Sequence, residues 1–146
     1  MPVMQTVWIT GVSGYLGSRL AKHLAPHWRV LGLSRKAMVN SPHEHVKGDF
    51  ASFEDLRNLD AHPLDALVHL AGETGGTSEE AGLGTNVLGT RRLLRYVLDR
   101  GCKKIVLASS IAAYGCLHPD FVPKRLPMRP TDPCQAQDAY GLSKYL

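Results

Sequence analysis

Tyr140 and Lys144 stand four residues apart in the run Tyr140-Gly141-Leu142-Ser143-Lys144. On a helix this spacing puts a phenol and an ammonium on one face, about 6 Å apart along the axis. A cation so placed lowers the phenol pKa from its ordinary value of about 10, which brings proton exchange with an alcohol or ketone within reach of neutral pH. Taken alone, the same pair is also an ordinary product of helix composition. A second chemistry is written upstream, in Thr10-Gly11-Val12-Ser13-Gly14-Tyr15-Leu16-Gly17. Glycines between a strand and a helix permit a tight turn and close approach of the main chain to a pyrophosphate. The free N–H groups and positive dipole end of the helix then face the phosphates. Without a strand before and a helix after, these would be turn glycines only.

The flanking residues supply both elements. Residues 3–10 are short, apolar and rich in β-formers, as in a buried parallel strand. Residues 15–24 read as a helix with Leu16, Leu20 and Leu24 on one face and Pro26 ending it. A second strand is expected over 29–33. Asn40, Ser41 and Pro42 then mark a turn-rich connection to a short third strand ending near Gly48. A short helix over 53–59 precedes a fourth strand over 65–70. The spacing predicts a long helix over 79–100, with Val87, Leu94 and Val97 on one face and Gly101 as the stop, followed by a fifth strand over 104–108. Pro119, Pro123, Pro127, Pro130 and Pro133 make 114–137 an extended loop, and a last helix begins near Asp138. Strands alternating with helices predict an α/β fold of Rossmann type: a doubly wound parallel sheet of order 3-2-1-4-5, with a ligand crevice between the first and fourth strands. The fifth strand then lies at an open edge, which is an association hazard. One NAD(P)-binding domain over 1–146 is expected.

Composition narrows the class. A chain of 146 residues, 44% hydrophobic and 21% charged, can build one core and is neither disordered nor disulfide-dense. Its formal charge of +4 is spread out, with local runs only at Arg91-Arg92, Lys103-Lys104 and Lys124-Arg125, so it reads as a solvated surface and not as a nucleic-acid stripe. Cys102, Cys116 and Cys134 show no paired spacing, which fits free thiols in a reducing cytoplasm. No signal segment and no stretch of ~20 apolar residues is present, so a soluble cytoplasmic protein without a membrane partner is expected. His43 and His45 lack a third ligand, and no metal is expected. His69, Trp8 and Trp28 read as structural.

NAD sites typically carry a carboxylate at the end of the second strand, where it accepts from the ribose hydroxyls. Here that place reads Ser34-Arg35-Lys36. Arg35 can pair with a 2′-phosphate, which favours NADP over NAD. A cation exposed in a loop accounts equally for Arg35 or Lys36 taken singly.

Six segments stand in order: Thr10 to Gly17, Gly48-Asp49-Phe50, His69-Leu70-Ala71-Gly72, Asn86-Val87-Leu88-Gly89-Thr90, Ser109-Ser110-Ile111-Ala112-Ala113-Tyr114-Gly115, and Tyr140 to Lys144. Across them, and so over essentially the whole chain, the sequence resembles the extended short-chain dehydrogenase/reductase family, which includes NAD(P)-dependent sugar-nucleotide epimerases and dehydratases. The resemblance implies a cofactor held by Gly11, Ser13, Gly14, Tyr15, Leu16 and Gly17, by Arg35, by Asp49 and Phe50, and by Leu70, Ala71 and Gly72. Asp49 would accept from the adenine amino group. Asn86 and Ser109 would bind the cofactor too, Asn86 also supporting the active-site hydrogen-bond network, and Tyr140 and Lys144 would meet the cofactor as well as the substrate. Ser110, at the family's position relative to Tyr114, would orient the substrate oxygen, Tyr140 would exchange its proton, and Lys144 would hold the nicotinamide ribose and tune Tyr140. Each has a plainer alternative: Asp49 as a turn cap, Gly72 as a strand-end turn, Asn86 as a polar helix residue, Ser110 as a strand-end cap.

Family 4,6-dehydratases place an acidic pair just after the catalytic hydroxyl residue. Here Ile111 and Ala112 stand there, which leaves epimerisation or carbonyl reduction of a small molecule such as a nucleotide sugar. The resemblance also implies further strands and a sugar-binding region beyond Leu146. A homodimer through helix 79–100 and the Tyr140 helix is a further expectation. A non-catalytic dinucleotide-binding module, or a fragment completed by a partner chain, stays open.

Overall fold

The computed structural model describes residues 4–74 and 78–146, so Val3, where the first strand was expected to begin, lies outside the described residues. The chain forms two compact units. The first comprises Met1–Ala71 and Gly89–Ala108, the second Gly72–Leu88 and Ser109–Leu146.

The first unit is a five-stranded sheet of β1 (Thr6–Thr10), β2 (Arg29–Ser34), β3 (Glu44–Lys47), β4 (Ala66–His69) and β5 (Lys104–Leu107). All neighbours are parallel and the order is β3-β2-β1-β4-β5, as the alternation of elements predicts. Residue parity sorts the buried side chains onto two faces. Trp8 stands in register with Leu31 and Leu67, and all three join one core with Phe50, Leu56, Leu93 and Val97. Val7 stands in register with Val30 and Ala66, and these join the other core with Ile9, Val12 and Ala21. β5 lies at the edge, where Val106 is 58% exposed.

Helix α1 (Tyr15–Leu24) has the expected bounds, but its buried face differs. Leu16 is 63% exposed, whereas Gly17 and Ala21 are buried, with Leu20 and Leu24 packed against the core. A Cβ at Gly17 would run into the carbonyl of Gly11. Only the smallest residues fit where this helix meets the turn before it, so the leucine spacing misplaces the face by one residue. Helix α2 (Phe53–Arg57) starts at Ser52, whose hydroxyl accepts from the Asp55 N–H.

The single helix expected over 79–100 is three pieces. These are α3 (Glu79–Gly82), a π-helical stretch (Leu83–Gly89) and α4 (Thr90–Asp99), with Gly101 at φ +81° as the stop. In α4 the buried residues are Leu93 and Val97, with Leu94 only partly buried. Gly89 lies where a Cβ would meet Ala51 Cβ at 2.8 Å and Phe50 Cε2 at 3.1 Å, so the chain enters α4 in close contact with that loop.

The second unit carries α3, most of the π-helical stretch, a 3₁₀ turn (Ile111–Tyr114) and α5 (Ala139–Tyr145). Asp138 starts α5 where the sequence places it, its Oδ1 accepting from Gly141 N at 2.6 Å. A Cβ at Gly141 would lie 2.5 Å from Ala112 O, so the glycine lets α5 rest on the 3₁₀ turn. Between that turn and Asp138 the proline-rich segment forms no helix or strand.

Candidate active site

In the first unit the glycine loop is built from main chain. Gly11 sits at φ +71°, its N–H donating to Leu33 O at 3.1 Å, and a Cβ there would be 2.8 Å from Ala71 N. Both the conformation and the contact exclude any larger residue. Gly14 is extended, with φ −82° and ψ 174°, and occupies the N-cap of α1 with no side chain capping it. The first N–H groups of the helix therefore point to whatever lies before it. A Cβ at Gly14 would meet only Gly11 O, at 3.2 Å. Ser13, Tyr15 and Leu16 are exposed, and the Arg19 guanidinium lies 3.7 Å over the Tyr15 ring. An uncapped ten-residue helix behind a loop stripped of side-chain bulk fits the pyrophosphate of a dinucleotide.

Buried His69 joins the strand ends beside this loop. Its Nδ1 lies 2.6 Å from Thr10 Oγ1 and its Nε2 2.9 Å from Thr90 Oγ1, while Thr10 Oγ1 accepts from Ala71 N at 3.2 Å. Histidine here is structural. Leu70, partly buried, packs on the core of Val7 and Ile9, so Leu70 and Ala71 have main chain to offer a ligand.

At the end of β2, Arg35 and Lys36 are exposed and Ser34 is buried. Asp49 Oδ1 accepts from Ala51 N at 2.8 Å and its own N–H donates to Asp55 Oδ2 at 2.6 Å, so one carboxylate oxygen caps the turn. Phe50 is a core residue in edge contact with His69, which leaves main chain as what it can present.

The second unit holds its residues by side chains. Asn86, 7% exposed, uses the whole of its amide: Oδ1 accepts from Glu73 N at 2.7 Å, and Nδ2 donates to Glu73 O and to Ser143 Oγ, each at 2.9 Å. Ser143 in turn donates to Tyr140 O at 2.8 Å. Asn86 thus ties the segment after Gly72 to the helix bearing Tyr140 and Lys144. A Cβ at Gly72 would lie 2.8 Å from Asn86 Oδ1 and 3.9 Å from Lys144 Nζ, so the absence of a side chain there leaves room for both. Ser109 Oγ donates to Lys144 O at 3.2 Å, and Ser110 Oγ accepts from Ala112 N at 3.2 Å. Gly72, Asn86, Ser109, Tyr140 and Lys144 are therefore gathered round α5, and Ser110 caps the turn on which α5 rests. Burial pushes the Lys144 ammonium below the usual lysine pKa. Ser143, buried at the centre of this network, is the residue that motif reading passes over; its place inside the Tyr–Lys run was the available signal.

Among the described residues no group of three or more His, Cys, Asp or Glu side chains could hold a metal ion, and no helix is long and apolar enough to cross a membrane.

Residues 7–146 match the model of the NAD dependent epimerase/dehydratase family. The chain is 32% identical to a UDP-glucose 4-epimerase of Cyamopsis tetragonoloba, covering 97% of this chain and 45% of that protein. It is 33% identical to a dTDP-glucose 4,6-dehydratase of Streptomyces antibioticus, covering 90% of this chain and 45% of the other. A solved short-chain dehydrogenase/reductase superfamily protein from Agrobacterium tumefaciens with bound NAD superposes with a TM-score of 0.83 at 26% identity, over 96% of this chain and 42% of its own. The chain thus spans less than half the length of these relatives.

Proposed function

The chain belongs to the NAD-dependent epimerase/dehydratase family, and from that premise we propose that it carries the cofactor-binding and proton-exchanging residues of an enzyme acting on a nucleotide sugar or a similar alcohol or carbonyl compound. The observation that carries the reading is the arrangement round α5, where Lys144 Nζ stands over Gly72 and Asn86 and Ser143 hold the helix bearing Tyr140.

The glycine loop binds the pyrophosphate through the N–H groups that open α1, and Ala71 and Gly72 line the cofactor after β4. A bound nicotinamide would supply the acceptor and donor of hydride for the substrate carbon. Ser110 Oγ is already an acceptor from Ala112 N, so its own proton is left to donate to the substrate oxygen. Tyr140 takes the hydroxyl proton as the carbon is oxidised and gives it back on reduction. Lys144 would hold the nicotinamide ribose. Epimerisation, or oxidation and reduction at one carbon, fits this set. Elimination of water does not, because Ile111 and Ala112 offer no acid or base where the dehydratases of the family carry one.

Ser34-Arg35-Lys36 favours NADP, with Arg35 pairing to the 2′-phosphate. Arg35→Ala should weaken NADP binding about tenfold and leave NAD binding nearly unchanged, read by titration of each cofactor. Equal weakening of both removes the assignment. Interconversion of epimeric UDP-sugars, or net reduction of the nicotinamide by them, tests the proposed activity, and neither appearing with cofactor bound overturns it.

A further inference from the structure

Ser34 occupies the strand-end position at which NAD sites carry an acid, and its hydroxyl is already committed. Ser34 Oγ lies 2.8 Å from Lys36 O and 2.9 Å from His45 Nε2. A serine has one proton and a carbonyl only accepts, so that proton goes to Lys36 O. Ser34 must then accept from His45, which fixes the imidazole proton on Nε2. Burial lowers the His45 pKa, in keeping with a neutral ring that donates through one nitrogen. An aspartate could accept from both ribose hydroxyls, whereas Ser34 has at most one lone pair left. The polar capacity of this corner passes to Arg35 and Lys36, and Ser34 shapes the turn that carries them.

Register explains how a β3 residue reaches this turn. His45 is opposite Gly32 and Lys47 is opposite Ser34, so His45 shares a strand face with Ser34 and leans two residues along to meet it. The His43 ring occupies the space that Gly32 leaves, since a Cβ there would lie 2.8 Å from His43 Nε2. A side chain at Gly32 would displace the His43 ring and Val12 from this space.

We propose that His45 is a positioning residue for cofactor selection: by donating to Ser34 it commits that hydroxyl to the Lys36 carbonyl and holds the Ser34-Arg35-Lys36 turn in the form that offers Arg35 to a 2′-phosphate. This rests on the NADP reading above. Titration of the full chain with NADP and NAD, and with adenosine 2′,5′-bisphosphate and 5′-AMP, tests it. His45→Phe removes the donor and should cost about fivefold for the 2′-phosphorylated ligands, the scale of one neutral hydrogen bond, and less than twofold for the others. His45→Gln, whose amide N–H₂ falls near the Nε2 position, should restore the parent ratio. An unchanged ratio in His45→Phe, or a Gln variant no better than Phe, overturns the inference. Should His45→Phe not fold, Ser34→Ala reads the same turn, and there too a shifted ratio supports and an unshifted ratio overturns it. A parent chain that prefers NAD overturns the cofactor reading instead, since the His45 inference is read from the change in ratio and not from its sign in the parent.

Discussion

The two units hold their functional residues by different means. Round the glycine loop the contacts that matter are main chain: Gly11 N–H to Leu33 O, Gly14 N–H to Gly11 O, and an uncapped helix start, with Ser13, Tyr15 and Leu16 turned to solvent. Round α5 they are side chain to side chain or side chain to main chain, through Asn86, Ser143, Ser109 and Asp138. A main-chain cradle binds phosphate through groups every residue possesses, so its sequence requirement is the absence of Cβ atoms. A proton-exchanging site needs particular functional groups, and each needs another side chain to hold it. Substitutions should therefore damage the first region by adding atoms and the second by removing them.

The largest effect is expected from removing one atom. Tyr140→Phe deletes the phenolic oxygen, and no bond of the Asn86 network involves that oxygen, so cofactor affinity should stay within about twofold while turnover falls ~10²–10⁴-fold. Parallel cofactor titration and rate measurement check it; loss of both together would mean that Tyr140 holds the helix and not the proton.

Adding atoms is the converse. The Gly14 Cβ position meets only Gly11 O, so Gly14→Val should fold, yet it fills the space a pyrophosphate needs and should weaken dinucleotide binding about a hundredfold. Circular dichroism beside the titration separates lost binding from lost fold. Undiminished affinity would break the contrast, since the loop would then tolerate the bulk it is built to exclude.

Features written in one short stretch of chain were legible in the sequence, and features made by pairing distant stretches were not. Apolar runs ending in glycine mark β1 and β4, proline and glycine punctuate the helices, and the strand order follows from their alternation with helices. The π-helical turn at Leu83–Gly89 leaves no trace in hydrophobic spacing, because an apolar residue reads the same in either helix. Leu16, Leu20 and Leu24 form a proper helical stripe, but the approach of Gly17 to Gly11 decides which side faces the sheet. Tyr140 and Lys144 were visible as a spacing, whereas the Asn86–Ser143 bond joins residues 57 apart and appears only with the fold. The same holds for His45 and Ser34, which meet through strand register. Phe50 was read as a cofactor contact from its motif, and its burial in the core appears only with the fold.

Within the α5 region a smaller deletion sharpens the same contrast. Asn86→Leu removes partners of Glu73 N–H, Glu73 O and Ser143 Oγ at once, and each is left to find another. A stability loss of ~1–3 kcal/mol is expected, with rate falling more than cofactor affinity because the helix bearing Tyr140 loosens first. Thermal melting and the two titrations check this. A purely global effect would lower occupancy of the folded state without changing the rate per folded molecule.

The smallest effect concerns a titratable side chain packed behind the glycine-loop region. The His43 ring fills the space over Gly32 beside Val12, and neither ring nitrogen has a hydrogen-bond partner among the described residues. Burial, and then the charge of His45, lower its pKa from 6.5. The sign follows from proton counting. Well above pH 6.5 neither the folded nor the unfolded chain protonates this ring, and His43 makes no pH-dependent contribution. As pH falls below that value the unfolded chain takes up the proton first, so stability declines until the pH reaches the lower folded pKa, and then levels. His45, lowered in the same direction by burial, adds a slope of the same sign, and its bond to Ser34 ties that slope to the β2 turn. His43→Phe keeps a ring in the space and removes the proton site, so the fall in melting temperature from pH 7 toward pH 5 should be shallower than in the parent, with His45 responsible for part of what remains. An equal fall in both proteins would show that the His43 ring is hydrated or moves out on protonation. The loop would then rest on main chain alone.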